Sequence, residues 1–257
     1  MQAEAILAAL KIAQAKARLT GEICIPDSPL KECGLDNVDC PICGNTGVKV
    51  SKAADGTLKA TECVCMAKRV SIRNIERSGL KDALNRYTFK NYVTDTIERK
   101  KVYNTAEDFC RNDKGWFFIS GKSGSGKTHI CTAICSRLMD SGKAVRYMRW
   151  RDDSTMLKAL TTDGEEYQRL IQPFKSVSVL YIDDFLKGGH SEADIRLAFE
   201  ILNARYMDSN LRTIISSELT LFGILGLDEA VGGRIYERSR GYVLEAPREN
   251  WRLKHGQ

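Results

Sequence analysis

Short apolar runs alternate along much of the chain with longer segments in which apolar residues recur every three or four positions. The runs predict strands at 116–119, 144–150, 177–184, 211–216 and 242–245, and the periodic segments predict helices at 97–111, 128–139, 192–208 and around 233–238. Strands that alternate with helices form a parallel sheet between helices. The chain from about residue 86 onward is therefore predicted to be of the α/β class.

The beginning of the chain has a different pattern. Ile6, Leu10, Ala13 and Ala17 recur at helical spacing and predict an amphipathic helix over residues 2–19. Its apolar stripe either packs on its own domain or docks on a partner, and both interpretations remain open.

A glycine-rich stretch, GKSGSGKT at 121–128, lies between the predicted strand 116–119 and the helix that follows. It matches GxxxxGK[ST], in which glycines let backbone N–H groups wrap a phosphate and the helix N-terminus faces the same anion. Lys127 is predicted to reach the β- and γ-phosphates, and the Thr128 hydroxyl is predicted to be a Mg²⁺ ligand.

The predicted strand 177–184 ends in two carboxylates, Asp183 and Asp184. A buried strand that ends in this way behind a complete phosphate loop is the Walker B pattern. Asp183 is predicted to bind hydrated Mg²⁺, and Asp184 to orient and polarise the water that attacks the γ-phosphate. The predicted nucleotide contacts are Gly121, Ser123, Gly124, Ser125, Gly126, Lys127, Thr128, His129 and Asp183.

Four of the nine cysteines form two pairs, CPIC and CVC, on either side of a predicted hairpin. Paired thiolates at this separation are typical of structural zinc sites, which stabilise small domains. The predicted zinc ligands are Cys40, Cys43, Cys63 and Cys65. Because CxC is less usual than CxxC, Cys24 or Cys33 is an alternative for one ligand. An iron–sulfur cluster and unligated core cysteines are the other interpretations.

Two segments carry arginines at regular spacing. Arg69, Arg73 and Arg77 follow at four-residue spacing along one face of the helix predicted after Cys65. Such a stripe either meets phosphates or an acidic partner or is a solvated face, and both interpretations remain open. In the strand 144–150, arginines alternate with aromatic residues such as Trp150. This pattern suits single-stranded nucleic acid, although packing at a sheet edge explains it slightly better.

Composition limits the class of protein. The 257 residues suit two domains, and 43% hydrophobic with 28% charged residues is ordinary for a globular protein. No apolar run is long enough to span a membrane, and residues 1–10 lack the basic start of a signal peptide, so an intracellular protein is expected. The net charge of +6 permits nucleic-acid binding without demonstrating it.

With these motifs in place, the chain resembles the DnaC/DnaI/IstB branch of AAA+ ATPases, especially phage and Gram-positive DnaC-like helicase loaders. The resemblance covers roughly residues 40–254 and rests on CPICGNTG, CVC, RYTFKNY, GKSGSGKT, VLYIDDF, RTIISSELT and GGRIYERSRGYV. It implies a small helical and zinc-binding N-terminal domain at 1–85 and an AAA+ P-loop ATPase domain at 86–257, with a parallel sheet between helices.

The resemblance also implies a function. The N-terminal domain would bind the replicative DnaB-type helicase, and the ATPase domain would bind ATP, Mg²⁺ and single-stranded DNA. The ATP-bound protein would form a homo-oligomer in the bacterial cytoplasm, away from membranes, whether a chromosome or a phage encodes it. Zn²⁺ would be a structural cofactor.

Arginines after residue 233 are natural stabilisers of charge in phosphoryl transfer. By motif position, Arg238 resembles the arginine finger that acts on a neighbouring subunit, with Arg234 as its rival, and Arg252 resembles the second sensor arginine. The expected catalytic residues are Lys127, Asp184, Arg238 and Arg252.

Glu218 departs from the family, because many relatives carry Asn at this sensor position. A carboxylate cannot donate a hydrogen bond to phosphate unless it is protonated. Either Ser216 or Ser217 takes the sensor role, or Glu218 contacts water or an arginine.

Three other functions are alternatives to that of a helicase loader. An IstB-like transposition helper shares the ATPase core, although the cysteine domain argues against it. A P-loop small-molecule kinase would need an acceptor pocket and a lid. A protein that only binds ATP is disfavoured by the intact Lys127, Thr128, Asp183 and Asp184.

Overall fold

The computed structural model describes residues 38–52, 57–77, 81–188 and 190–247. Packing divides the chain into two compact units, with the boundary between Arg73 and Asn74. The predicted boundary of functional domains after residue 85 stays a prediction. The helix predicted at 2–19 lies outside the described residues, as do Cys24, Cys33 and Arg252.

The first unit contains a small antiparallel sheet and the start of a helix. Strands β1 (Val48–Lys52) and β2 (Leu58–Glu62) form a hairpin, and helix α1 (Cys65–Arg77) follows at once. In the described part of this unit, the buried cluster consists of Val38, packed with four buried cysteines and the half-buried Ile72. A cluster this small buries little apolar surface, so a cross-link between the cysteines would add to its stability.

The second unit is built on five parallel strands in the order β4-β5-β6-β3-β7. The strands are β3 (Phe117–Ser120), β4 (Val145–Arg149), β5 (Val179–Phe185), β6 (Arg212–Ser217) and β7 (Val243–Glu245). All five lie where the hydrophobic pattern predicts them. The parallel α/β sheet expected from the sequence is therefore confirmed.

Helices connect these strands and cover both faces of the sheet. They are α2 (Lys81–Arg86), α3 (Ile97–Arg111), α4 (Lys127–Asp140), α5 (Trp150–Ala159), α6 (Gly164–Ser176), α7 (Glu192–Tyr206), α8 (Leu221–Leu227) and α9 (Glu229–Arg238), with a 3₁₀ turn at Phe89–Asn91. Among the helices in this part of the chain and in α1, none combines the length and apolar character that a membrane span requires.

Alternate side chains of each strand enter two separate cores. Phe117 and Ile119 pack with α3 and α4, whereas Phe118 packs on the opposite face with α7 and α8. In β5 the same alternation sends Tyr181 toward α4 and Ile182 away from it. Asp183 is two residues after Tyr181 and points to the same face of the sheet, so its carboxylate faces the start of α4.

Candidate nucleotide-binding site and metal centre

The phosphate-binding loop leaves the carboxyl end of β3 and leads into α4. Gly124 and Gly126 have φ angles of 80° and 90°, a backbone region that strains residues with a Cβ. Helix α4 begins at Lys127, so its first unpaired N–H groups face the loop. The Lys127 ammonium donates to the carbonyl oxygens of Gly121 at 2.6 Å and Lys122 at 3.0 Å. The loop thus has the form that binds a polyphosphate.

A cavity of about 510 Å³ opens beside this loop, a size within the range of small-ligand sites. Its walls include residues 123–129 of the loop and α4, together with Asp184, Lys187 and the aromatic Tyr87 and Tyr92. Burial lowers the pKa of Lys127, while the nearby carboxylates Asp184 and Glu218 oppose that shift. Phosphate-binding cations and candidate acid–base groups therefore share one cavity.

The loop and the Walker B strand meet at Thr128 and Asp183, whose Oγ1 and Oδ1 atoms are 3.5 Å apart. The Asp183 carboxylate also accepts hydrogen bonds from Tyr181 at 2.7 Å and Tyr147 at 3.0 Å, and from Ser216. Burial raises the pKa of both tyrosines, and the charge of Asp183 adds to the effect, so the phenols remain protonated donors. These donors fix the carboxylate in one orientation.

The sequence did not lead us to expect that Tyr147 and Tyr181 hydrogen-bond to the Asp183 carboxylate. A signal was present, since Tyr181 stands two residues before Asp183 and strand parity places both on one face. Tyr147 is opposite Tyr181 in the parallel pairing of β4 and β5, which only the register reveals.

Asp184 lies within β5 at an irregular point, where the pairing with β6 shifts register between Ile182 and Phe185. It is a non-glycine residue with a φ of 53°, and its backbone N–H donates to Ser216 Oγ at 3.2 Å. Its carboxylate accepts from Lys187 at 3.2 Å, and the same ammonium contacts Glu218 at 2.9 Å. Glu218 is thus paired with a lysine, a partner that the sequence analysis did not consider. Ser217 donates to the carbonyl oxygen of Phe185 at 2.8 Å.

Aromatic side chains from the segment before α3 line another part of the cavity. The Tyr87 and His129 rings are 5.0 Å apart and inclined by 30°, and Tyr92 meets His129 edge-on at 5.2 Å. His129 Nε2 lies 3.0 Å from the carbonyl oxygen of Thr88, and burial lowers the pKa of the imidazole. Phe89 instead packs in the core. The segment therefore forms a wall of the cavity and also packs in the core.

Arg238 lies at the opposite edge of the sheet from the phosphate loop. Its guanidinium donates to the carbonyl oxygens of Asp208 at 3.3 Å and Leu211 at 3.5 Å, and lies 5.8 Å from the Trp116 ring centre. Leu211 and Trp116 precede β6 and β3, so this is the amino edge of the strands. The structure does not bring Arg238 together with Lys127 and Asp184 within one chain.

The rival arginine, Arg234, is engaged on the outer helices. Its Nε donates to Asn203 Oδ1 at 3.0 Å, and its guanidinium stacks 4.6 Å from the Phe199 ring centre. Arg252 lies outside the described residues.

The arginine and aromatic residues of β4 take part in packing. Trp150 begins α5 instead of extending the strand as predicted. Its side chain is buried, and its ring meets that of Phe185 edge-on. Arg146 stacks over the Phe174 ring at 4.5 Å. Since β4 is an edge strand, this agrees with the packing interpretation of the pattern.

In the first unit, four buried thiols converge. The Sγ atoms of Cys40, Cys43, Cys63 and Cys65 all lie within 4.8 Å of one another, with 3.8 Å between Cys40 and Cys63 and 3.6 Å between Cys43 and Cys65. Tetrahedral ligation with Zn–S bonds of about 2.3 Å places sulfurs about 3.8 Å apart. The four predicted ligands are therefore arranged as a metal site needs.

Arg69 supports this cluster instead of joining a solvated stripe. The side chain is 4% exposed and donates to the carbonyl oxygen of Val38 at 2.8 Å and to Asn45 Oδ1 at 3.1 Å. Asn45 Oδ1 in turn accepts from the backbone N–H of Cys40 at 2.8 Å. Arg69 thus fixes the loop that carries the first cysteine pair.

Sequence comparison identifies the family of this two-part chain. Residues 54–255 match the family described as IstB-like ATP binding protein. The chain belongs to this family. The IstB-like match includes the phosphate loop, Asp183 and Asp184, and it gives the chain an AAA+ ATPase domain.

Curated relatives of this IstB-like protein come from bacteria and phage-like elements. It is 30% identical to the Bacillus subtilis phage-like element PBSX protein XkdC over 249 residues, or 90% of each chain. It is 29% identical to the uncharacterized protein YqaM of B. subtilis, over 76% of this chain and 66% of YqaM. It is 25% identical to the replicative helicase loader DnaC of Escherichia coli, over 65% of this chain and 69% of DnaC.

Solved structures share the fold of this IstB-like protein. A crystal structure of the DnaC helicase loader superposes with a TM-score of 0.55 at 20% identity, over 65% of this chain and 99% of that one. Replication initiator DnaA bound to AMPPCP and single-stranded DNA superposes with a TM-score of 0.54 at 24% identity, over 64% and 50%. The match thus spans half of that DnaA chain.

Proposed function

We propose that this protein is an ATP-dependent loader of a replicative DnaB-type helicase, acting in the bacterial cytoplasm. The observation that carries the proposal is a four-cysteine unit ahead of an ATPase domain whose curated relatives include replicative helicase loaders. The cysteine-bearing domain binds the helicase. ATP binding to the second unit controls the assembly, and hydrolysis times its release.

ATP binds with its phosphates in the 121–128 loop. Thr128 and Asp183 hold a hydrated Mg²⁺, which neutralises charge on the phosphates. Two observations support a Mg²⁺ ion at this position. Thr128 Oγ1 and Asp183 Oδ1 are 3.5 Å apart, and the hydrogen bonds from Tyr181 and Tyr147 hold the Asp183 carboxylate in place. Lys127 binds the β- and γ-phosphates, and Asp184 orients the attacking water.

Two arginines complete the reaction in this proposal. Arg238 lies at the sheet edge opposite its own phosphate loop, a position that suits action on the nucleotide of a neighbouring subunit. It stabilises charge in the transition state, with Arg252 as the second sensor. An ATP-bound homo-oligomer is required for this arrangement.

Zn²⁺ is the metal proposed for the cysteine cluster. The donor set of four thiols, and their separations of 3.6–3.8 Å across the two pairs, fit tetrahedral zinc. A bound cation would hold all four sulfurs as thiolates, the form in which cysteine binds a metal. The ion has a structural role because four protein ligands leave no position for a substrate.

Single-stranded DNA is the second proposed ligand of the ATPase domain. The DnaA structure bound to AMPPCP and single-stranded DNA has a similar fold, and the net charge of +6 favours attraction to phosphates. Trp150 is buried, so base stacking does not use this residue.

The loader proposal is tested by mixing the full-length protein with the replicative helicase of its host. Size exclusion with light scattering, with and without ATP, should detect a complex. The variant Cys43→Ser should lose it, whereas Cys110→Ser, outside the cluster, should retain it. Absence of a complex under every nucleotide condition would refute the helicase partner.

An IstB-like transposition helper is the second candidate, favoured by the family match over residues 54–255. The same experiment with the cognate transposase separates the two functions. Binding to the transposase without binding to the helicase would decide for the helper.

A further inference from the structure

A strained turn positions Lys187 at the end of β5. Asp184 and Leu186 both have left-handed backbone conformations, with φ of 53° and 56°, which are uncommon for residues with a side chain. The N–H of Lys187 donates to the carbonyl oxygen of Asp184 at 3.0 Å, and the Leu186 side chain is 2% exposed. Burial of Leu186 anchors the turn, so Lys187 is directed back toward the nucleotide cavity.

The ammonium of Lys187 faces both carboxylates of this cavity. It lies 3.2 Å from Asp184 Oδ2 and 2.9 Å from Glu218 Oε1, and the side chain lines the same cavity as Lys127. A lysine ammonium has three donors. Two are directed to the carboxylates, and the third remains for a group that enters the cavity.

The sensor position creates a need for such a donor. Glu218 directly follows β6, where the carbonyl oxygen of Ser217 accepts from the N–H of Gly121 at 3.1 Å, so it lies beside the phosphate loop, but an ionised carboxylate only accepts hydrogen bonds. A γ-phosphate brought near Asp184 and Glu218 would add further negative charge, which is costly at short range unless a cation lies between them.

We propose that Lys187 binds the γ-phosphate of ATP, with Glu218 holding its ammonium in place. Lys187 thereby supplies the hydrogen-bond donor that Glu218 lacks. The proposal rests on ATP binding in the phosphate loop and assigns one residue the recognition of ATP over ADP.

The variant Lys187→Met tests this contact because it removes the ammonium and retains the length of the side chain. Dissociation constants for the Mg²⁺ complexes of AMPPCP and ADP are to be measured by calorimetry on the full-length protein. The loss of a hydrogen bond between charged groups predicts AMPPCP binding weaker by about 10- to 100-fold and ADP binding changed by less than about 2-fold. Unchanged ADP binding also shows that the site is folded.

Lys158→Met is the matched control. Lys158 also pairs with a carboxylate, that of Asp194, and has a similar exposed fraction of 31% against 36% for Lys187, but it does not line the cavity. Both nucleotides should bind this variant as they bind the wild type. An equal loss of both nucleotides in Lys187→Met, or full AMPPCP affinity, would overturn the proposal.

A combined variant separates direct binding from charge compensation. If Lys187 only offsets the charges of Asp184 and Glu218, then Lys187→Met combined with Asp184→Ala and Glu218→Ala, which removes both charges and adds no donor, should regain AMPPCP affinity, and the proposal is wrong. Direct binding predicts that this combined variant stays at least about 10-fold weaker for AMPPCP. A wild-type protein that binds neither nucleotide would instead refute the ATP site and this contact together.

Discussion

Thr128 Oγ1 and Asp183 Oδ1 lie 3.5 Å apart although 55 residues separate them in the chain. The contact joins the start of α4, directly after the phosphate loop, to β5, which β6 separates from β3 in the sheet, and so brings two hard oxygen atoms to one place. Mg²⁺ prefers such ligands and keeps part of its hydration shell. If Thr128 and Asp183 bind Mg²⁺ as proposed, the position of Asp183 should control the use of Mg²⁺–ATP.

Tyr181→Phe is expected to loosen Asp183, since the variant removes the 2.7 Å hydrogen bond to its carboxylate and retains the buried ring. Loss of such a supporting contact typically costs about 10-fold or more in metal affinity. The Mg²⁺ concentration at half-maximal ATP hydrolysis should rise by about that factor. Tyr167→Phe, which removes a hydrogen bond to Glu200 outside the site, is the control and should leave it unchanged.

Arg238→Ala is expected to retain nucleotide binding and to abolish ATP hydrolysis by the oligomer, with a rate loss of about 10³-fold or more. A subunit with Arg238→Ala retains an intact phosphate loop, so the nucleotide bound to it can still be reached by the arginine of a neighbouring subunit. Mixing Arg238→Ala with Lys127→Ala, which retains the arginine and lacks nucleotide binding, should restore part of the hydrolysis.

The same mixing experiment identifies the responsible arginine. Arg240→Ala, two residues further along and exposed, is the matched comparison. If Arg238→Ala hydrolyses ATP normally while Arg240→Ala does not, the assignment of Arg238 as the arginine finger is wrong, and Arg240 has that role.

Cys40→Ser is expected to reduce bound zinc from about one ion per chain to nearly none, because three thiolates hold the metal poorly. The region around the cluster should lose its fold, since the buried cluster of its described residues consists mainly of the cysteines themselves. Metal analysis and limited proteolysis measure both effects. Cys110→Ser should keep its zinc, and nucleotide binding by the second unit should survive in both variants. Iron with visible absorbance in the wild type would instead indicate an iron–sulfur cluster.

His129 is expected to make the second unit sensitive to mild acid. Burial lowers the pKa of the folded imidazole below its ordinary value of 6.5, although the contact with the Thr88 carbonyl opposes the shift. Below pH 6.5 the unfolded state then binds more protons than the folded state, so the free energy of unfolding falls as pH falls. Well above pH 6.5, where the imidazole is neutral in both the folded and the unfolded state, the contribution of His129 should be constant.

Urea unfolding followed by tryptophan fluorescence tests this expectation, because Trp116 and Trp150 are buried in that unit. In His129→Gln the amide can still donate to Thr88, and the dependence between pH 5.5 and 7 should be weaker than in the wild type. An identical pH dependence in the variant would refute a role for His129.

Much of the second unit could be predicted from the sequence. The strands at β3 and β5, with their runs Phe117–Ser120 and Val179–Phe185, are recognisable because buried parallel strands are continuously apolar. Helices α5 and α6 were not predicted. Their buried positions belong to the same core as β4 and β5, but α6 contains Pro173, a residue that usually ends a helix.

The sequence by itself determined the phosphate loop, the Asp183–Asp184 pair and the four cysteines, because each motif depends on residue types at short, fixed spacing. Only the tertiary structure decided which side chains support or oppose them: Tyr147 and Tyr181 on Asp183, Lys187 between Asp184 and Glu218, and Arg238 at the far edge of the sheet. The physical reason is that these contacts depend on the register between parallel strands and on a left-handed turn. Both are set by packing over the whole unit and leave no local pattern in the chain.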